Sequence, residues 1–243
     1  MVISNPRKRW TNQFALALAL LLPMAMDRAL FAEVIPEVVV AEENKVNKLF
    51  KLLDKSEEAE ALGDYKSAVL YLNRVITIAK DVFGINDKRT IAFISKLAFL
   101  YLDQNLPEKA IYYLEETLKI RESIVGINHI DIVSNIEALA ELNYSLENYI
   151  LSRDYMNRAL GIKKKVLGEN HIEVAYNLKG IGLAYESLGY LNKAASYYKK
   201  SLKIIQKTYG DDHFETAQLY RFIGSIFLDL NIIDEATLYI NKS

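Results

Sequence analysis

"AYNLKGIGLAYESLGYLNKAASYYKKSLKIIQKT", residues 175–208, carries two runs of helical periodicity on either side of a break. Leu178, Ile181, Gly182 and Tyr185 recur at helical spacing, as do Ala194, Tyr197, Tyr198, Ser201 and Leu202. Between them "SLGYLN" puts Gly189 where one helix ends and the next begins. The stretch reads as a helix–turn–helix unit. Gly182 and Ala194 are both small, which lets the two helices cross closely while larger neighbours interlock around the contact.

The unit repeats along the chain. Gly84, Gly126, Gly168 and Gly210 stand 42 residues apart, and so do Tyr71, Tyr113, Tyr155, Tyr197 and Tyr239. Ala68, Ala110, Ala194 and Ala236 keep the same register, with Ser152 in the vacant slot. A fixed period of about 20–50 residues is the signature of a stacked-repeat architecture. The period sets five units, at about 49–82, 91–124, 133–166, 175–208 and 217–243.

The joints between units hold every histidine of the chain: "GINHIDI" at 126–132, "GENHIEV" at 168–174 and "GDDHFET" at 210–216. An imidazole two residues before a carboxylate invites a metal or acid–base reading. Each joint, however, supplies one histidine, whereas a structural zinc site takes about four ligands. The first joint has Asp87, Lys88 and Arg89 and no histidine. The joints therefore read as structural. Gly168 suits the left-handed end of a helix, Asn170 an N-cap, and Glu173 the third position of a capping box. Asn128 with Asp131 and Asp212 with Glu215 repeat the pattern. Starting the helix at the histidine instead still leaves the acid in the first turn, where the helix dipole favours it.

At this point the sequence resembles the tetratricopeptide repeat family, whose pattern is W-x2-L-G-x2-Y, then A-x3-F, then P. It appears as Leu178, Ile181, Gly182, Tyr185, Ala194 and Tyr198, and again as Ile94, Leu97, Ala98, Tyr101, Ala110 and Leu114. A further unit has Ile136, Leu139, Ala140, Met156 and Ala159, with Asn143 in place of the aromatic. The last has Tyr220, Ile223, Gly224, Phe227, Ala236 and Ile240. The 42-residue period, the Leu-Gly-x-x-His joint and the missing proline look like the longer repeats of the kinesin light chain type. The resemblance covers about 44–243.

It implies an all-α fold, an α-solenoid wound as a right-handed superhelix of about five helix–turn–helix repeats. It also implies a protein-interaction scaffold whose first helices line a concave groove for a peptide or partner helix. Mapped onto this chain, the groove positions are Ser95, Phe99, Asp103, Glu137, Glu141, Tyr144, Tyr176, Lys179, Glu186, Arg221, Ser225 and Asp229. The paired asparagines that light-chain-like repeats carry are absent, their slots holding Ser95-Lys96, Glu137-Ala138, Lys179-Gly180 and Arg221-Phe222. The Lys/Asn cradle that captures a C-terminal carboxylate in chaperone-binding relatives is absent too.

Composition agrees with a globular chain: 243 residues, 51% hydrophobic and 25% charged, without cysteine and hence without disulfides or thiolate chemistry. Residues 1–43 fall outside the repeats. Arg7, Lys8 and Arg9 precede the uncharged run "FALALALLLPMAM" at 14–26, the layout of a signal peptide. We expect residues 1–32 to be a signal peptide, or an uncleaved anchor, followed by a linker at 33–43. Export to the periplasm or cell envelope follows, with membrane contact only through an uncleaved segment. The first 32 residues carry Arg7, Lys8, Arg9 and Arg28 against Asp27, a net +3, so the overall −1 becomes −4 without them. That balance, with no basic stripe, gives no reason to bind nucleic acid.

Two lysine clusters, Lys163–Lys165 and Lys199, Lys200 and Lys203, sit on second helices and read as solvated outer surface. There is no phosphate loop, nucleophile elbow or metal signature, so we expect no enzyme, no cofactor and no metal. Ile233, Leu238 and Ile240 in the last unit raise an alternative, a homo-oligomeric assembly subunit associating through that end.

Overall fold

Apolar periodicity makes the helices, and positions that demand unusual backbone end them. The computed structural model describes residues 28–243, with side chains from residue 41. Its helices are α1 (Arg28–Ala61), α2 (Tyr65–Val82), α3 (Lys88–Asp103), α4 (Pro107–Val125), α5 (Val133–Ser145) and α6 (Tyr149–Leu167). They continue with α7 (Ile172–Ser187), α8 (Leu191–Tyr209), α9 (Phe214–Asp229) and α10 (Ile233–Ile240), and a 3₁₀ turn at Ile130–Ile132 leads into α5. The described residues hold no strand, so the fold is all-α, built of helix–turn–helix repeats. Two compact units divide the chain, one running to Phe93 and one from Ile94 to Ser243.

In the first unit α1 packs on α2. Ala68, Leu72, Val75, Ile76 and Ala79 form the buried stripe of α2, and the Ser56 hydroxyl donates to the Ala68 carbonyl at 2.9 Å. Asp64 caps α2 by accepting from the Ser67 amide at 3.1 Å. Residues 33–43, read as a linker, lie within α1; the Ala-, Glu- and Lys-containing run from Ala41 favours helix over a flexible link. The basic and apolar runs of the expected signal peptide lie outside the described residues. Among the described helices none is long and apolar enough to cross a membrane.

The second unit repeats one motif. Helices pair as α5 with α6, α7 with α8 and α9 with α10, and the joints bring α4 onto α5, α6 onto α7 and α8 onto α9. One contiguous core joins the last three repeats, with Val174, Ala175, Ile181, Tyr198, Ile205, Leu219, Ile223 and Ile226 fully or nearly fully buried. Burying a large apolar side chain is worth about 1.5–3 kcal/mol, and here each repeat buries its face only against the next.

The close crossing falls at Gly182, as expected, but its occupant is Tyr198 rather than Ala194. A Cβ at Gly182 would stand 2.6 Å from the Tyr198 ring. Gly224 receives Ile240 in the same register, at 2.8 Å.

Turns inside the repeats are also periodic. Gly63, Asn105, Glu147, Gly189 and Asn231, each 42 residues from the next, all have positive φ. Asn105, Glu147 and Asn231 take this conformation without being glycine. Glu147 sits at φ 62° without glycine's freedom.

Candidate functional site

The histidines stand at the joints between repeats. Gly126, Gly168 and Gly210 end α4, α6 and α8 with φ near 90°. The N-cap that follows is the histidine, not the asparagine or aspartate before it. His129, His171 and His213 each accept, through Nδ1, the amide of the residue two further on, at 3.2 Å in all three. Their extended backbone is that of an N-cap residue. Asp131, Glu173 and Glu215 then occupy the first turn.

In the first joint Asp87 stands 42 residues before His129 and does the same work, accepting the Arg89 amide at 2.8 Å. The Arg89 side chain grips the same carboxylate and holds the Asp87 carboxyl below its ordinary range. An aspartate that replaces the histidine in kind identifies the role as capping. Among the described residues no three His, Asp or Glu side chains gather in a metal-sized group.

Next come the twelve mapped positions, all in the second unit. Five of them are tied to neighbouring helices. Glu137 of α5 meets Lys163 of α6 at 2.6 Å, and Lys163 meets Glu173 of α7 at 2.8 Å. The Lys163 side chain is only 5% exposed. It was expected on the solvated outer surface and is instead a buried rivet between two carboxylates of successive repeats. Lys165 is exposed, as are Lys199, Lys200 and Lys203.

Lys179 of α7 reaches forward to Glu215 at 3.1 Å and Gln218 at 3.3 Å, and lies over the Tyr176 ring. Tyr176 faces the Tyr209 hydroxyl at 3.4 Å; that contact and its burial push its pKa up to about 12. Tyr144 shares a 2.9 Å hydrogen bond with Ser187. Glu186 accepts from the buried Tyr198 hydroxyl at 2.6 Å, and burial first, then that carboxylate, raises the Tyr198 pKa far above its ordinary value. The Ser95 hydroxyl oxygen is buried without a hydrogen-bond partner.

The other mapped positions present their side chains outward. Phe99 is 54% exposed, large for an aromatic ring, and Asp103 follows one turn later on α3. Glu141 is exposed on α5, at the position 42 residues after Phe99. Arg221, Ser225 and Asp229 are exposed along α9. What the sequence reading missed is the set of partners: Lys163, Glu173, Ser187, Tyr198, Tyr209, Glu215 and Gln218. The signal was present in part, since Asp131, Glu173 and Glu215 recur at the repeat period.

Comparison with known proteins agrees with this architecture. Three family models, each described as tetratricopeptide repeat, match residues 52–82, 90–131 and 131–204. No curated protein matches the sequence significantly. Among solved structures, the nearly identical TPR-like repeats of a kinesin light chain from Podosopora anserina align over 80% of this chain and 92% of that one, with TM-score 0.64 and 16% identity. BtubC (BKLC) from P. vanneervenii aligns over 82% and 89%, with TM-score 0.57 and 16% identity. The apo form of RapI covers 86% of this chain and 58% of its own, with TM-score 0.67 and 16% identity. At these identities the likeness is one of fold. The chain belongs to the tetratricopeptide repeat family, with 42-residue repeats of the kinesin light chain-like type.

Proposed function

We propose that this interaction scaffold binds a peptide or partner helix on the open surface formed by Phe99, Asp103 and Glu141. The observation that carries the reading is a contrast. Glu137, Lys179, Glu186 and Tyr144 are spent on neighbouring helices, whereas Phe99 offers an uncovered ring beside uncovered carboxylates. An exposed aromatic ring is the usual anchor of a recognition surface, and charges around it set register and exclude wrong partners. The chemistry selects a segment with an apolar side chain for Phe99 and a lysine or arginine for Asp103 and Glu141. Adjacent first helices lie about 10 Å apart, so an extended segment of a few residues spans both.

The test is selection of peptides from a displayed random library on the full chain, repeated with Phe99→Ala and with Glu141→Lys. Enrichment of a basic residue near an apolar one, lost in both variants, is the expected result. Acidic consensus sequences, or the same consensus on both variants, would refute it.

We further propose that the chain is exported. Arg7, Lys8 and Arg9 before the uncharged 14–26 run support this. The intact mass of the protein recovered from its host decides between removal of residues 1–32, retention as an anchor, and no export at all; a full-length chain in the cytoplasmic fraction would end the proposal.

A further inference from the structure

The three exposed residues of α9 form a pattern of their own. Arg221, Ser225 and Asp229 are spaced four apart, so they follow one another along one side of the helix. Other sides of α9 are occupied. Gly224 faces Ile240 of α10, and the helix also packs on α8. Among the described residues neither Arg221 nor Asp229 has an ion-pair partner. The equivalent of Arg221 one repeat earlier is Lys179, which is paired with Glu215. Leu228, 48% exposed, borders the stripe and gives it an apolar margin.

From this we infer that α9 is a two-fold docking surface for a second copy of this chain, with the helices antiparallel and Ser225 at the axis. The stripe is self-complementary in one orientation only. Arg221 and Asp229 are eight residues apart, about 12 Å along the helix, so each lies about 6 Å from Ser225. Antiparallel pairing about Ser225 sets Arg221 of each copy against Asp229 of the other and forms two ion pairs. Parallel pairing sets arginine against arginine and aspartate against aspartate, which is repulsive. A small residue at the centre allows the close approach that a helix crossing needs, and a two-fold interface requires a patch that fits itself. Arg221, Ser225 and Asp229 thus serve the second copy, independently of the peptide surface around Phe99.

The charges make the test specific. Sedimentation of the full chain should give twice the 27.7 kDa monomer mass. Arg221→Asp alone and Asp229→Arg alone should each fall to the monomer mass, with helical content and melting unchanged. Mixing the two variants should restore the dimer mass, because each charge then meets its opposite in the heterodimer, and the double exchange R221D/D229R should dimerise by itself. The chain has no cysteine, so Ser225→Cys gives an independent reading. It should form a disulfide-linked dimer on mild oxidation, while Lys203→Cys on α8 stays monomeric. A monomeric wild type, single variants that keep the wild-type mass, single variants that stay monomeric on mixing, or cross-linking no faster at 225 than at 203 would each overturn the inference.

Discussion

Adding one methyl group at Gly182 should destabilise the chain, while adding it at Gly161, on the preceding helix, should stabilise it. The Cβ of Gly182→Ala would lie 2.6 Å from two atoms of the Tyr198 ring, closer than real Cβ contacts come. That ring has little freedom to retreat. It is fully buried, its hydroxyl is held by Glu186 at 2.6 Å, and it stacks on Phe222 at 5.3 Å between centroids. Overpacking of a tight core costs about 1–3 kcal/mol, and replacing glycine by alanine inside a helix returns about 1 kcal/mol. Because the ring is held, the overpacking cost lies at the upper end, about 2–3 kcal/mol. The net is a loss of about 1–2 kcal/mol, or about 2–8 °C in melting temperature for a chain of this size.

Gly161 in α6 is exposed and has nothing within 4 Å of a built Cβ, so the same change there should raise stability by about 0.5–1 kcal/mol. Gly180 lies between these cases: its Cβ would meet the Met156 side chain at 3.3 Å, and a thioether can shift. Thermal and urea unfolding followed by helical circular dichroism would rank the variants 161, 180, 182. Repeating Gly182→Ala in a Tyr198→Leu background should shrink its penalty. A Gly182→Ala protein as stable as Gly161→Ala would refute the crossing geometry, and with it the assignment of Tyr198 to the gap between α7 and α8.

Four further outcomes follow from the joints and turns. His171→Ala should cost about 1 kcal/mol by leaving the Glu173 amide without its acceptor, while His171→Asp, which copies the cap that Asp87 already forms, should cost little; melting of the two variants separates them. Lys163→Met should cost about 1–3 kcal/mol in urea unfolding, less than a fully buried pair because Glu137 and Glu173 are 28% and 44% exposed. Adding Glu137→Gln should recover part of that loss. Glu147→Gly should stabilise by about 0.5–1 kcal/mol, because φ 62° suits glycine and strains glutamate, and a lower melting temperature would contradict it. Burial, and then Glu115, push the Tyr155 pKa up to about 12 from 10.0, so its contribution to stability is complete below pH 10.0 and is lost as pH rises towards 12. Alkaline unfolding with Tyr155→Phe as control checks the sign.

The repeat was legible because its signal is redundant. Five tyrosines and four glycines in one register define the fold even where a unit departs from it, as Asn143 does in place of the aromatic. Asn143 is buried and turns its amide to the Leu139 carbonyl at 2.7 Å, so the register survives the substitution by a local hydrogen bond. The histidine joints were legible in kind but shifted by one residue, since an imidazole acceptor is not among the usual caps and Asn170 is.

The recognition face was legible only in part, for a physical reason. Whether Glu137 is open or spent depends on Lys163 from one neighbouring helix and Glu173 from another. Within a single unit Lys163 looks like one member of a solvated lysine run. The same position illustrates the rule across repeats. Glutamate at 137 needs an intervening lysine to reach the acidic first turn of the next repeat, whereas lysine at 179 reaches Glu215 directly, and Ile205 fills the place that Lys163 holds one repeat earlier. Charge at the two positions is thus set jointly, which removes Glu137 and Lys179 from ligand recognition and leaves Phe99, Asp103 and Glu141 open on α3 and α5, with Ser225 and Asp229 open at the equivalent positions of α9.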